Sequence, residues 1–153
     1  MSLAQKLRDD LKEAIHGGDK ERLSTLRLLF AAIQNKEIEE RKKDVGLGDD
    51  EVLQVIQREV KKRKDAVTEF EKGGRPELAA QEAREAAILG VYLPAELPDE
   101  EIMRIVQDGI RESGATGVES FGVLMKTITP TLKGRASGER ISRLAREALV
   151  KLS

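Results

Sequence analysis

Pro94 and Pro98 stand four residues apart in a chain whose apolar residues otherwise recur at helical spacing, and no continuous helix can cross them. Each proline lacks a backbone N–H and pushes the residue before it out of the helical region. The segment Tyr92-Leu93-Pro94-Ala95-Glu96-Leu97-Pro98 is therefore the clearest boundary, with an N-terminal part over residues 1–93 and a C-terminal part over residues 94–153. No stretch alternates apolar and polar residues between hairpin turn signals, so an all-α chain is expected.

Four helices are expected before the boundary. Ser2 caps the first, with Leu3, Leu7, Leu11, Ala14 and Ile15 inward, and Gly17-Gly18 ends it. Asp19 caps the second, with Leu23, Leu26, Phe30, Ile33 and Ile38 inward, and a loop follows from Asp44 to Asp50. Asp49 or Asp50 starts the third, along Val52, Ile56, Val60, Val67 and Phe70. Pro76, suited to a first helical position, opens an alanine-rich fourth. Three shorter helices follow, starting at Asp99, Ser120 and Ser137. Their inward residues are expected to include Ile102, Val106 and Ile110, then Phe121, Leu124 and Ile128, then Ile141, Leu144, Ala148, Leu149 and Leu152.

Aromatic residues make up only 3% of the chain, so the core must be aliphatic. The absence of cysteine excludes disulfides, thiolate metal sites and cysteine nucleophiles. The first residues are charged and amphipathic rather than apolar, and no run approaches the ~20 apolar residues of a membrane span. A soluble cytoplasmic protein without a membrane partner is the expectation.

The net charge of −1 hides an asymmetry. Residues 118–153 hold seven lysines and arginines against three acids, Glu119, Glu139 and Glu147. A basic end on an acidic body suits a polyanion, although an excess of four is small for a dedicated nucleic-acid domain. At its centre lies Leu132-Lys133-Gly134-Arg135-Ala136-Ser137-Gly138, which delivers the chain into a new helix. The backbone N–H groups and dipole of that helix favour negative charge, and Lys133 and Arg135 stand beside them. This is no phosphate-binding P-loop, because no strand precedes it and Glu139 follows its second glycine. A helix–helix turn capped by Ser137 explains part of the pattern, and contact with a nucleic-acid phosphate would explain the rest.

Arg140, Arg143 and Arg146 follow at spacings of three and can share one face near the loop, or form a solvated face opposite the apolar stripe. With Lys126 they complete the candidate nucleic-acid-binding set of Lys126, Lys133, Gly134, Arg135, Arg140, Arg143 and Arg146. So few aromatic side chains leave little for base stacking, and RNA recognition would follow shape and backbone.

Other clusters have simpler explanations. Lys61-Lys62-Arg63-Lys64 fans around a helix with acids at i,i+4 spacing, a solvated face. Arg41-Lys42-Lys43 fits a helix C-terminus, and Asp49-Asp50-Glu51 fits helix capping. Gly46 and Gly48 carry no cofactor signal. His16 is the single histidine. Without a second histidine, a cysteine, or a serine with a spaced base, no catalytic residue, metal ligand or cofactor is expected.

Three segments in this order resemble the YqeY family and the homologous tail domain of the GatB subunit of tRNA-dependent amidotransferases. They are Leu23 through Ile38, Tyr92-Leu93-Pro94, and Lys133-Gly134-Arg135-Ala136 with Gly138; the resemblance covers essentially the whole chain. One departure is Val123, where the family often carries a lysine after the glycine matching Gly122. The resemblance implies a bacterial helical protein that binds tRNA or a tRNA-handling enzyme, with no DNA partner. The carbon–nitrogen ligase label, with glutamine as amide donor, is inherited by kinship. The chemistry belongs to other domains or subunits, so catalysis by this chain alone is not expected. A protein-interaction adaptor without a nucleic-acid role is the alternative, and intrinsic amidotransferase activity a third.

Overall fold

The computed structural model describes Met1–Leu152 and is all-α, with seven helices and no strand among these residues. The helices are α1 (Leu3–Gly17), α2 (Lys20–Glu39), α3 (Asp49–Lys72), α4 (Pro76–Gly90), α5 (Asp99–Ser113), α6 (Phe121–Leu132) and α7 (Gly138–Val150). A 3-10 turn, Val118–Ser120, leads into α6. The chain forms two compact units, Met1–Leu93 and Pro94–Ser153.

Local chemistry sets the helix starts in the first unit. Ser2 Oγ accepts from Gln5 N, and Asp19 Oδ1 accepts from Arg22 N, each at 3.1 Å. Each cap thereby satisfies one backbone donor that its own helix leaves open. Gly18, at φ 69°, makes the left-handed turn between α1 and α2. The acids at the start of α3 are occupied in the same way. Glu51 accepts from Gly48 N at 3.3 Å and from Lys42 Nζ at 2.9 Å, while Asp49 accepts from Leu3 N at 3.0 Å.

Leu7, Leu26, Leu29, Ile56 and Leu89 are fully buried at the centre of this unit. Each such side chain contributes about 1.5–3 kcal/mol relative to an exposed one. Two expected core residues point outward instead: Ile15 is 49% exposed and Ile38 is 62% exposed. At 3.6 residues per turn, Ile15 lies about 80° around α1 from Leu7, and Ile38 about 120° around α2 from Leu26. Leu29 and Thr25 take the buried face of α2.

Arg63 also departs from expectation. Lys61, Lys62 and Lys64 are exposed, but Arg63 is only 8% exposed. Its Nη1 donates to the Glu59 carbonyl at 3.3 Å, and its Nε lies 3.5 Å from Glu85 Oε2 on α4. Four residues fanned around a helix cannot all avoid its packed side.

The second unit buries Ile102, Val106, Leu124, Ile128, Leu132 and Leu149. Gly109 lets α5 and α6 approach: a Cβ there would stand 2.3 Å from Ile128 Cγ2 and 3.1 Å from Leu124 Cδ1. Leu152 is 45% exposed, because α7 has ended at Val150.

Candidate nucleic-acid interface

The loop between α6 and α7 turns sharply because its first residues leave the helix at once. Lys133 closes α6 with ψ 123°, and Gly134 takes φ 79°, a left-handed conformation that suits glycine. Arg135 N then donates to Leu132 O at 2.9 Å. Ser137 Oγ accepts from Arg140 N at 3.2 Å and so caps α7.

Arg135 fastens this loop to the segment that opens the second unit. Its Nε donates to Ala95 O at 3.2 Å, and its own carbonyl accepts from Leu97 N at 2.8 Å. Arg140 completes the connection. Its Nη2 donates to Leu97 O at 2.8 Å and to Asp99 Oδ1 at 2.7 Å, and its Nη1 lies 3.3 Å from Glu96 Oε2. Hydrogen bonding from Arg140 holds the Asp99 carboxyl below the usual carboxylate range, with Arg143 adding to the effect.

The three arginines of α7 therefore have separate surroundings. Arg140 is bound to the linker and Asp99. Arg143 lies 3.5 Å from both Asp99 Oδ2 and Glu147 Oε1. Arg146 stacks its guanidinium over the Phe121 ring, 4.6 Å from the centroid, a cation–π contact worth about 0.5–1 kcal/mol at an exposed site.

Lys126 and Lys133 differ from all of these. Both are exposed, and neither has a carboxylate partner among the described residues. They follow Gly122 and continue past Thr129 along one exposed line of α6, seven residues or about 10 Å apart. Val123, beside that line, is 56% exposed. Residues 94–153 hold nine acids and nine lysines and arginines, so the basic excess of residues 118–153 is balanced within the unit.

Sequence spacing missed Glu96 and Asp99 as the partners of Arg140. Asp99 carries a local helix-start signal, but an ion pair spanning 41 residues leaves no periodic mark. Among the described residues no group of three His, Asp or Glu is gathered as a metal would require, and no helix is long and apolar enough to cross a membrane.

These features define an all-helical protein of two compact units whose second unit carries a cationic line leading to a capped helix start. The family model described as Yqey-like protein matches residues 4–149, and the chain belongs to that family. Similar curated proteins include "Altered inheritance of mitochondria protein 41, mitochondrial" of Kluyveromyces lactis, 38% identical over 66% of this chain and 55% of its own length. The protein of the same name from Clavispora lusitaniae is 30% identical over 86% of this chain and 76% of its own length. That from Lachancea thermotolerans is 36% identical over 57% and 46%. The chain spans about half the length of most of the curated relatives it matches. Their names overturn the expectation of a cytoplasmic protein and give no support to a bacterial one: these relatives are yeast proteins named as mitochondrial.

Proposed function

We propose that this chain is a non-catalytic helical module that binds tRNA, or an enzyme that handles tRNA, through its second unit. The observation that carries the reading is the placement of Lys126 and Lys133. They are exposed on one line of α6, have no carboxylate partner among the described residues, and lead to the start of α7. Phosphate contacts require only cations and helix N-termini, and such contacts position a nucleic acid without reading its sequence. Arg135 and Arg146 flank the line, while Arg140 and Arg143 act as structural ties rather than phosphate ligands. The resemblance to the amidotransferase tail domain supplies the substrate class. The names of the relatives support a mitochondrial setting for this proposed role.

The test is titration of labelled bulk tRNA at about 50 mM and 200 mM salt, with an unrelated RNA duplex as control. Two or three phosphate contacts predict saturable binding that weakens about 10- to 40-fold between those concentrations. A preference for tRNA over the duplex is also expected. A second reading, the protein-interaction adaptor, is favoured by the pairing of Arg140 and Arg143 and the balanced charge of the second unit. Recovery of protein partners after nuclease treatment, with no tRNA retained beforehand, would select it.

A further inference from the structure

The exposed line of α6 carries two residues that a helix interior ordinarily avoids. Gly122, Lys126, Thr129, Pro130 and Lys133 are all exposed and fall within about 100° of one another around the axis. Glycine and proline both weaken a helix. Gly109 has an internal reason, the close approach of Ile128, but a Cβ at Gly122 would meet nothing within 4 Å. Pro130, being exposed, fills no space in the core. Packing within the chain therefore accounts for neither residue.

Pro130 stands inside α6 and has no backbone N–H. The carbonyl of Lys126, four residues earlier, consequently lacks its ordinary helical donor. The two hydroxyls nearest in sequence do not replace it: Thr127 Oγ1 donates to Val123 O at 3.0 Å, and Thr129 Oγ1 to Met125 O at 2.6 Å. No side chain and no loop N–H among the described residues donates to the Lys126 carbonyl. An open acceptor thus lies on the same line as the ammonium groups of Lys126 and Lys133. A phosphate oxygen gains nothing from a carbonyl, since both only accept, whereas a hydroxyl can donate to it.

We infer that this line recognises the ribose as well as the phosphates of an RNA strand. A 2′-hydroxyl donates to the Lys126 carbonyl, and the flanking phosphates meet Lys126 and Lys133. This recognition rests on the tRNA reading of the same face and supplies its selectivity for RNA. A sugar–phosphate strand offers a donor between two anions only where the 2′-hydroxyl is present. DNA would turn a C–H toward the carbonyl and leave it unpaired. Gly122 leaves the helix backbone bare, so the strand can lie close against it.

The probe is a synthetic stem–loop RNA of tRNA sequence, set against its 2′-fluoro counterpart. The fluoro version keeps every phosphate and the A-form shape but has no hydroxyl to donate. The parent should bind the hydroxyl RNA about 3- to 10-fold tighter, the worth of one hydrogen bond. Pro130→Ala restores the N–H and closes the Lys126 carbonyl into the helix, so that ratio should fall to about 1. Affinity for the fluoro RNA and its salt dependence should stay unchanged. Gly122→Ala should weaken both RNAs alike. Both substitutions favour the helix, and circular dichroism checks that each variant is folded. A general disturbance of α6 would move both RNAs together and leave the ratio intact. No preference in the parent, a preference that survives Pro130→Ala, or undiminished binding by Gly122→Ala would overturn the inference while leaving phosphate-mediated tRNA binding in place. Binding of neither RNA would overturn both.

Discussion

Asp99 Oδ1 accepts from both Nη2 and Nε of Arg140, at 2.7 Å and 3.2 Å, and joins the first turn of α5 to the first turn of α7. The same guanidinium donates to Leu97 O, so one side chain holds the linker and two helix starts together. Asp99 is ionised more readily in the folded chain, because Arg140 hydrogen-bonds its charged form. Its folded pKa is depressed, so its contribution to stability is present above the ordinary carboxylate value and fades as pH falls through the folded value. Asp99→Asn should therefore speed amide exchange in α5 and α7 at neutral pH. The difference from the parent should shrink as pH falls below the ordinary carboxylate range.

Gly109 and Ile128 set the distance between α5 and α6. Gly109→Ala gains about 1 kcal/mol of helix propensity but forces a Cβ into Ile128. Overpacking of this kind costs about 1–3 kcal/mol, so a net loss is expected. Ile128→Ala removes the clashing Cγ2, and the double variant should lose less than the sum of the two single losses. Denaturant unfolding followed by circular dichroism measures all three.

Arg63 stands between Glu59 and Glu85 at a site where all three side chains are largely covered. Removing the cation leaves the largely covered Glu85 without its ion-pair partner and Glu59 paired only with the exposed Lys62. Arg63→Ala should destabilise the first unit by about 3 kcal/mol. Tyr92 is the chain's single tyrosine and lies in that unit, so the tyrosine absorbance band of the full chain reports its unfolding.

Tyr92 also titrates unusually. Burial, reinforced by its hydrogen bond to Asp10, raises the phenol from 10.0 to about 12. A raised folded pKa means that this contribution to stability is full below the unfolded value of 10.0 and is lost as pH rises through about 12. Absorbance titration should find the phenol still protonated at about pH 11, where an ordinary tyrosine is mostly ionised. Asp10→Asn should lower the midpoint without returning it to the ordinary value, since burial remains.

The helix starts were legible because their signals are local. Ser2, Asp19, Pro76 and Ser137 each act within a turn of their own position. Burial near helix ends was less legible, as Ile15, Ile38 and Leu152 show. A period defines a line of residues but leaves open how much of that line the neighbouring helices cover. The pairing of Arg63 with Glu85 and of Arg140 with Asp99 depends on tertiary approach and has no signature in spacing. The same holds for Gly109, whose meaning lies in Ile128 on another helix. In the candidate interface, the basic residues could be found but not sorted into paired and exposed ones. The cytoplasmic expectation rested on what the segment lacks, and an absence carries no cellular address.

The most direct measurement is the dependence of tRNA affinity on salt for the parent chain, for Lys126→Glu with Lys133→Glu, and for Arg143→Gln. If the two lysines contact phosphates, the slope of log K against log salt should fall by about 1.5–2 in the lysine variant. Arg143 already faces Asp99 and Glu147, so its loss should leave the slope unchanged. An unaltered slope in the folded lysine variant, or no salt-sensitive preference for tRNA in the parent, would contradict tRNA binding through this face.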